Sequence, residues 1–521
     1  MITLQSYVHG QWVAGTGAPK TLHDPSTEAV LGQVHPGGID FAAVLRHARE
    51  VGGPALRALG WKRRGERLKA LSALLHEHRD ALLDIATQNG GNTRGDGKFD
   101  LDGASGTLAY YAKLAEALPE GNTLGNTLVD GEGVQLGRTP RYFGQHVFTS
   151  RPGVALHINA FNFPAWGMGE KMACALLAGV PVVEKAGTPS ALLAFRIAQL
   201  VVQSGILPEG SFQFVAGSAS GLLDLLGPMD AVAFTGSAAT GALIRGNANL
   251  VQRNVRVSLE ADSINAAVLG PDVEVGSDTF EQFVANVVVD MTQKAGQKCT
   301  AVRRILVPAA LLADVQEALL ERLATIVVGN PAQADVRMGP VASAEQLRDV
   351  RAGIDRLAAV AKVLRGGSQP VPGPGYFVQP TLLLANDSHT PVLHELEVFG
   401  PCATLLPYDG SAAAAVELCN RGGGSLVASA YSDDRAFVEA LVHGIAPWHG
   451  RIWLGSEKTM GQAIGPGAVL PGSIHGGPGR AGGGEELGGL RGLALYLQRT
   501  AVQGDRAVLG RLFGLDAAPA S

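Results

Sequence analysis

Leu68, Leu71, Leu74 and Leu75 fall three and four residues apart, the spacing of one face of an α-helix. The segment from about Phe41 to Thr87 is therefore predicted helical. Leu82, Leu83 and Ile85 continue its apolar content until Asn89-Gly90-Gly91-Asn92 ends it. Ahead of it, Leu4 to Val13 reads as a short hairpin around His9-Gly10, Asp24-Pro25-Ser26-Thr27 as a turn, and Val30 to Val34 as a strand. Leu108 to Leu118 predicts another helix. Val134 to Thr149 mixes apolar and polar residues as one or two strands do, and Arg151-Pro152-Gly153 closes them.

From Val154 the pattern alternates. Strands are predicted at Val154 to Asn159, Val180 to Glu184, Ser211 to Ala216, Ala231 to Thr235 and Val255 to Leu259. Helices are predicted at Ala191 to Ser204, Gly221 to Leu226 and Ala239 to Arg245. Such βαβα alternation implies a parallel, doubly wound sheet that binds ligands at the carboxyl ends of its strands. After Gly270 it restarts with longer helices, Phe280 to Thr292 and Leu311 to Val328, around a strand at Ile305 to Val307, and this predicts a second α/β domain. Pro370 to Gly375 and the glycine-rich run from Gly461 to Gly484 read as loops, and Leu493 to Thr500 as a last strand. There is no internal repeat, and Ala517 to Ser521 is the one low-complexity tail.

Composition narrows the class. With 521 residues, 46% apolar and 17% charged, the chain has ample material for a large core. Its 69 glycines suit tight βα turns and close backbone approach to ligands. A net charge of -5 and a pI near 6.2 give no basic footprint for nucleic acid. The four cysteines (Cys174, Cys299, Cys402, Cys419) form no Cys-x-x-Cys pair, so neither a metal site nor a disulfide framework is expected. No basic-then-apolar leader opens the chain, and the longest apolar run, Ala173 to Val183, contains Pro181 and is too short to cross a bilayer. A cytoplasmic location without membrane contact is expected.

Chemistry gathers around Gly296-Gln297-Lys298-Cys299-Thr300-Ala301, where small and polar neighbours leave room for a substrate beside a thiol. A thiolate attacks carbonyl carbon, although a lone free cysteine is more often a small buried apolar residue. Asn162, in Asn159-Ala160-Phe161-Asn162-Phe163-Pro164, follows a strand and could donate to an oxyanion or make a turn before the proline. Lys171 follows Glu170 among the apolar Met168, Met172, Ala173 and Cys174, so one buried charge is possible there. Lys185 ends a strand where a ribose or phosphate binds, or simply faces solvent. Phe234-Thr235-Gly236-Ser237 is a strand-turn-helix junction whose free N–H groups suit a pyrophosphate or a plain helix cap. Both the P-loop pattern and the Gly-x-Gly-x-x-Gly of the first βα unit are missing, so a dinucleotide must bind in an atypical way. Glu260 ends a strand and is a general base only if folding brings it to Cys299. Glu397-Val398-Phe399-Gly400-Pro401 sets a carboxylate and an aromatic before a turn. Glu485-Glu486-Leu487-Gly488 by itself reads as solvated.

Together and in this order the motifs at Asn162, Phe234, Cys299 and Glu397 resemble the aldehyde dehydrogenase superfamily over nearly the whole chain. The details are most similar to the coenzyme A-linked semialdehyde dehydrogenases of aerobic aromatic degradation. A chain ending near residue 521 leaves out the hydratase domain fused to some phenylacetyl-pathway members. That points to the benzoate-pathway type, which acts on 3,4-dehydroadipyl-CoA semialdehyde. The resemblance implies that Cys299 attacks the aldehyde, that Asn162 and the Cys299 N–H hold the oxyanion, and that Glu260 activates water on the thioester. It further implies a proton relay through Lys171 and Glu486. For the cofactor it implies Lys185 and Glu397 on ribose hydroxyls, Phe399 beside the nicotinamide ribose, and Ser237, with Phe234, Thr235 and Gly236, at the pyrophosphate.

Two departures stand out. The family's Glu-Leu-Gly-Gly is here Glu260-Ala261-Asp262-Ser263, and the Glu that NAD-preferring members often carry three residues beyond Lys185 is Thr188. A threonine tolerates a 2'-phosphate that an acid repels, so NADP is expected, with NAD possible. The implied fold is α/β and aldehyde dehydrogenase-like, with two doubly wound α/β domains plus a small β oligomerisation element. Residues 1–133 and 152–262 would bind NADP, 263–484 would carry catalysis, and 134–151 with 485–521 would pair protomers into a homodimer or a dimer of dimers. The alternatives are a coenzyme A-acylating enzyme, a dehydrogenase of free aldehydes, and an inactive binding or structural protein on the same fold.

Overall fold

The computed structural model describes residues 1–119 and 126–514; the tail from Ala517 to Ser521 lies outside the described residues. Five parallel strands form the middle of the first sheet, in the spatial order Arg256–Glu260, Ala231–Thr235, Ala155–Ile158, Val182–Lys185 and Phe212–Val215. The sheet continues through the N-terminal hairpin, Ile2–Val8 with Gln11–Ala14, to Val30–Val34 and Lys20–His23. The middle strands are buried on both faces, as parallel strands under crossover helices must be, whereas the N-terminal strands are partly exposed. Leu56, Leu68, Leu108, Leu176 and Leu193 pack on one face, and Val44, Leu45, Leu226 and Leu250 on the other.

The second sheet has seven strands, ordered Ala361–Arg365, Thr381–Ala385, Cys402–Tyr408, Val302–Pro308, Asn265–Leu269, Ser425–Tyr431 and His449–Gly455. All pair in parallel except the first, which is antiparallel at the edge. Both sheets are thus doubly wound α/β layers. A separate antiparallel sheet joins Leu497–Asp505, Tyr142–Ser150 and Thr127–Gln135.

Most predicted elements appear, and the departures have identifiable causes. The helix expected from Leu108 begins at Arg94, where Thr93 and Asp96 bond each other's backbone N–H in a capping box. Its glycines hid it, yet they serve packing: a Cβ on Gly103 would sit 2.1 Å from the Trp166 ring, and one on Gly97 2.9 Å from Leu83. The segment from Phe41 breaks into helices Phe41–His47, Gly53–Glu77 and Arg79–Gly90, joined first by a π-helical turn at Ala48–Gly52. The helix expected at Gly221 to Leu226 is a single 3₁₀ turn, Leu223–Leu225, and that expected to reach Val328 stops at Ala324. The last strand is Leu497–Asp505, because Leu493 ends a 3₁₀ turn. The glycine-rich run is not all loop. Ile474–Gly476 pairs antiparallel with Glu485–Leu487, setting His475 opposite Glu486, in strands too short to show a period.

One buried cation ties the second domain together. Arg304 is fully buried and donates to the carbonyls of Ile264, Leu418 and Cys419 at 2.7–3.1 Å and to His394 Nδ1 at 2.9 Å. Burial pushes its pKa down to about 10. A lysine cannot supply this planar fork. We predict that Arg304→Lys, by stranding buried carbonyls, destabilises the protein by about 3 kcal/mol or more, seen as a lower thermal midpoint.

Candidate active site

Four consecutive strands of the first sheet deliver their carboxyl ends to one place. Ala155–Ile158 runs into Asn162, Val182–Lys185 ends on Lys185, Ala231–Thr235 on Thr235, and Arg256–Glu260 on Glu260. The second sheet brings Cys299 and the Glu397–Phe399 turn against them. A narrow cavity of about 40 Å³ is lined by Phe99, Phe163, Trp166, Val469 and His475. A wide cleft of about 510 Å³ is lined by Lys185, Ser237, Thr240, Glu397 and Phe399. The two share Ala160, Asn162, Thr235, Glu260 and Cys299, so they meet at the thiol.

The cysteine loop is held in an unusual backbone. Lys294, Ala295 and Gly296 are all left-handed, with φ of 53°, 51° and 68°. Two of these are not glycine, at roughly 1 kcal/mol each. The third must be, since a Cβ there would lie 2.2 Å from the Gly400 carbonyl oxygen. Buried Arg303 locks the geometry. It donates to the Gly400 carbonyl at 2.8 Å, Gly296 at 2.9 Å and Lys298 at 3.2 Å, and stands 3.8 Å from Glu397. Asn265 donates to the carbonyls of Cys299 and Ala301 at 2.8 and 2.9 Å. Asn162 donates one amide N–H to the Gln297 carbonyl at 3.0 Å, which leaves its second N–H for a ligand.

Behind the thiol lies a buried charge cluster. Glu170, Glu260 and Glu486 each bring an oxygen within 4.8 Å of the others. Lys171 Nζ stands 3.2 Å from Glu170 and 3.1 Å from Glu486, and donates to Thr235 Oγ1 at 2.8 Å. Burial works against the Lys171 charge, but Glu486, Glu170 and Glu260 outweigh it and hold its pKa above the usual lysine value. His475 Nε2 pairs with Glu260 at 2.9 Å and lies 3.8 Å from Cys299 Sγ. Burial would raise the Glu260 pKa, yet His475 and Lys171 bring it down to about 2. Burial instead pushes Glu170 up to about 7, despite Lys171. The Cys299 thiol is driven well above its ordinary value by burial and then by the Glu260 charge.

Every residue singled out from the sequence lies in this region. Lys171 and Glu486 form a buried ion pair at 3.1 Å. Glu486 is 9% exposed, not solvated as its sequence alone implied, because strand pairing turns it inward. Phe234, Thr235, Gly236, Ser237, Glu397 and Phe399 line the wide cleft with Lys185. Thr188 starts a 3₁₀ turn between the lining residues Gly187 and Pro189. Ser237 caps the helix Ala238–Arg245 by accepting from the Thr240 N–H. Two side chains escaped sequence reasoning. Glu170 was legible only as the neighbour of Lys171, and His475 sits in a glycine-rich run with no motif around it.

Comparison with known proteins bears on the family and the fold. Residues 12–501 match the aldehyde dehydrogenase family. The chain is 45% identical over 482 residues, 91% of its length and 93% of the relative's, to a 3,4-dehydroadipyl-CoA semialdehyde dehydrogenase of Aromatoleum evansii. Its fold superposes on lactaldehyde dehydrogenase of Escherichia coli with a TM-score of 0.84 and 26% identity, covering 96% of this chain and 99% of that one. It superposes on a betaine aldehyde dehydrogenase of Staphylococcus aureus in complex with NAD+ with a TM-score of 0.82 and 25% identity, covering 96% and 95%. The chain belongs to the aldehyde dehydrogenase family.

The Glu170 shift gives a stability signature. Its raised pKa means the folded protein holds a proton that the unfolded chain releases. That contribution is complete below the unfolded value of 4.5 and is lost as pH rises through about 7. We therefore predict that Glu170→Gln melts with the wild type near pH 5 and above it near pH 8. The gap should reach about 3 kcal/mol at most, read by thermal unfolding across pH.

Proposed function

We propose that this aldehyde dehydrogenase oxidises a coenzyme A-linked semialdehyde of the 3,4-dehydroadipyl-CoA kind to the carboxylic acid, using NADP and releasing the product by hydrolysis. The observation that carries the reading is the meeting of the two cavities at Cys299, with Asn162 and Glu260 on their shared wall. The identity to the Aromatoleum evansii enzyme supports the substrate class. The narrow cavity admits an aldehyde end past Phe99, Phe163 and Trp166 and leaves a bulky carrier outside.

The wide cleft fits a dinucleotide. Glu397 Oε1 is buried without a hydrogen-bond partner, burial lifts its pKa to about 8, and it suits ribose hydroxyls. Lys185, whose pKa is lowered by burial and then by Lys20, and Thr188 would sit with the adenosine ribose, Ser237 and Gly236 with the pyrophosphate, and Phe399 with the nicotinamide ribose. Lys20 and Lys185 favour a 2'-phosphate by charge, and position 188 carries a threonine in place of an acid that would repel it. A nicotinamide bound there would supply the hydride acceptor that turns the thiohemiacetal on Cys299 into a thioester.

The chain's own residues do the rest. Cys299 Sγ forms a bond to the carbonyl carbon, and the Asn162 amide and Cys299 N–H receive the oxygen. The resulting thioester is cleaved by water whose proton goes to Glu260, an anion at neutral pH. Lys171 and Glu486 stand where that proton can be passed on. Glu260 survives the altered sequence after it, and this favours hydrolysis over transfer to free coenzyme A. We further propose that residues 1–133 with 152–262 bind the cofactor and 263–484 carry the nucleophile. Residues 134–151 with 485–521 would join two protomers across the exposed Val134, Leu136 and Tyr142. Among the described residues no helix is long and apolar enough to cross a membrane.

The test is NADPH formation from a coenzyme A-linked semialdehyde and NADP without free coenzyme A. Sustained turnover is expected. Glu260→Gln should lose about 10²–10⁴-fold of the steady rate, and rescue of the wild type only by free coenzyme A would overturn the hydrolytic reading. Thr188→Glu should shift the kcat/KM ratio toward NAD by roughly tenfold or more, about 1.4 kcal/mol; an unchanged ratio would remove Thr188 from cofactor choice.

A further inference from the structure

One side chain between the two reacting groups has no part in the steps above. His475 is 4% exposed and reaches the thiol from a three-residue strand. Its single atom Nε2 is 2.9 Å from Glu260 Oε2 and 3.8 Å from Cys299 Sγ. Cys299, Glu260 and His475 all place a ligand atom within 4.8 Å of one another. The thiol therefore faces a buried carboxylate at close range, where an anion on sulfur would meet an anion on oxygen. Like charges so near and so dry cannot both exist without a cation between them.

We propose that His475 is a catalytic residue of this enzyme, a resident imidazolium that stays charged while a proton passes from Cys299 Sγ to the Glu260 carboxylate. The S–H bond breaks, an O–H bond forms on Glu260, and the negative charge moves from oxygen to sulfur beside the same Nε2. The imidazolium loses nothing and gains nothing; it exchanges one anionic partner for the other. The thiolate then attacks the aldehyde. Once sulfur is acylated it carries no charge; Glu260 passes the thiol's proton on to the Glu486 carboxylate, whose oxygen lies within 4.8 Å, and returns to His475 as the anion that takes water's proton. Electrostatics agree. Burial opposes charge on His475, but Glu260, Glu170 and Glu486 overcome it and raise its pKa.

The groups that face this trio come from several elements. Glu170 and Lys171 stand on the helix Trp166–Leu177, Glu486 is the strand partner of His475, and Arg451 on His449–Gly455 acts on Cys299 through space, as does Glu397. Lys171 is committed to Glu170 and Glu486, and Arg451 donates to the carbonyls of Pro466 and Ala468. Among the described residues His475 is thus the cation within hydrogen-bonding reach of both reacting groups.

This assignment rests on Cys299 as the nucleophile of the proposed function, but its test needs no aldehyde. The full chain is treated with iodoacetamide across pH, and modification of Cys299 is followed by peptide mass in wild type, His475→Gln and His475→Asn. Cys174, Cys402 and Cys419 are buried and serve as internal references. In the variants, modification near pH 7 should fall about tenfold or more, with the midpoint moved upward by about one unit and the wild-type rate regained at high pH. A variant profile that overlies the wild type, or that falls by one factor at every pH, would overturn the assignment, the latter marking a merely structural role. If one variant melts below the assay temperature the other is used, with the pH dependence of kcat/KM in the wild type as second readout: an acid limb following His475 is not expected, since the imidazolium does not titrate on the path. A shifted alkylation profile in a protein that oxidises no semialdehyde would keep this inference and sink the proposed substrate instead.

Discussion

Three carboxylates that share a space of 4.8 Å, each under one-tenth exposed, set the terms for the whole centre. Such anions repel one another strongly where water is scarce. They are held there by Lys171 on one side and His475 on the other, and the differing positions of these cations divide the labour. Glu260, hydrogen-bonded to His475, is kept ionised; Glu170, whose direct partner is a lysine shared with Glu486, is pushed by burial toward its protonated form. One cluster therefore contains a base and a proton store side by side. Environment separates their roles, since the two side chains are chemically identical.

The scaffold makes this arrangement rigid. Thr235 and Glu260 end paired parallel strands in register, and Lys185 lies one residue short of their level, so the three arrive together without long loops to place them. The cysteine comes from the other domain, and its loop is stiffened by a left-handed run, the Gly296–Gly400 contact and the Arg303 clamp. Arg303 also stands near Glu397, which lines the cleft, so the thiol loop and the far wall of the cleft share a buried post. A shift of either sheet would be felt at the sulfur.

Much of this was legible from the residues. The βα alternation located the strands whose ends build the cleft, because fully buried parallel strands show as short continuous apolar runs. Cys299, Asn162, Glu260 and Lys185 stood at strand ends or turns where chemistry is ordinarily placed. What stayed hidden has physical causes. The helix from Arg94 was masked by glycines that exist to let Trp166 approach. Glu486 looked solvated because a three-residue strand has no readable period, and its inward turn depends on pairing with His475. His475 itself belongs to no local pattern; only the meeting of two distant segments gives it a role.

The two cavities join only around the thiol, and their outer walls are built from different parts of the chain. Phe99, Phe163, Trp166 and Val469 shape the narrow one, whereas Lys185, Ser237, Thr240, Glu397 and Phe399 shape the wide one. Variation in the first set can retune which aldehyde enters without disturbing what the second set holds, and the reverse is equally true. The fold is in this sense modular for descent: a lineage can inherit the sulfur chemistry unchanged and diversify its diet by substitutions along a single corridor.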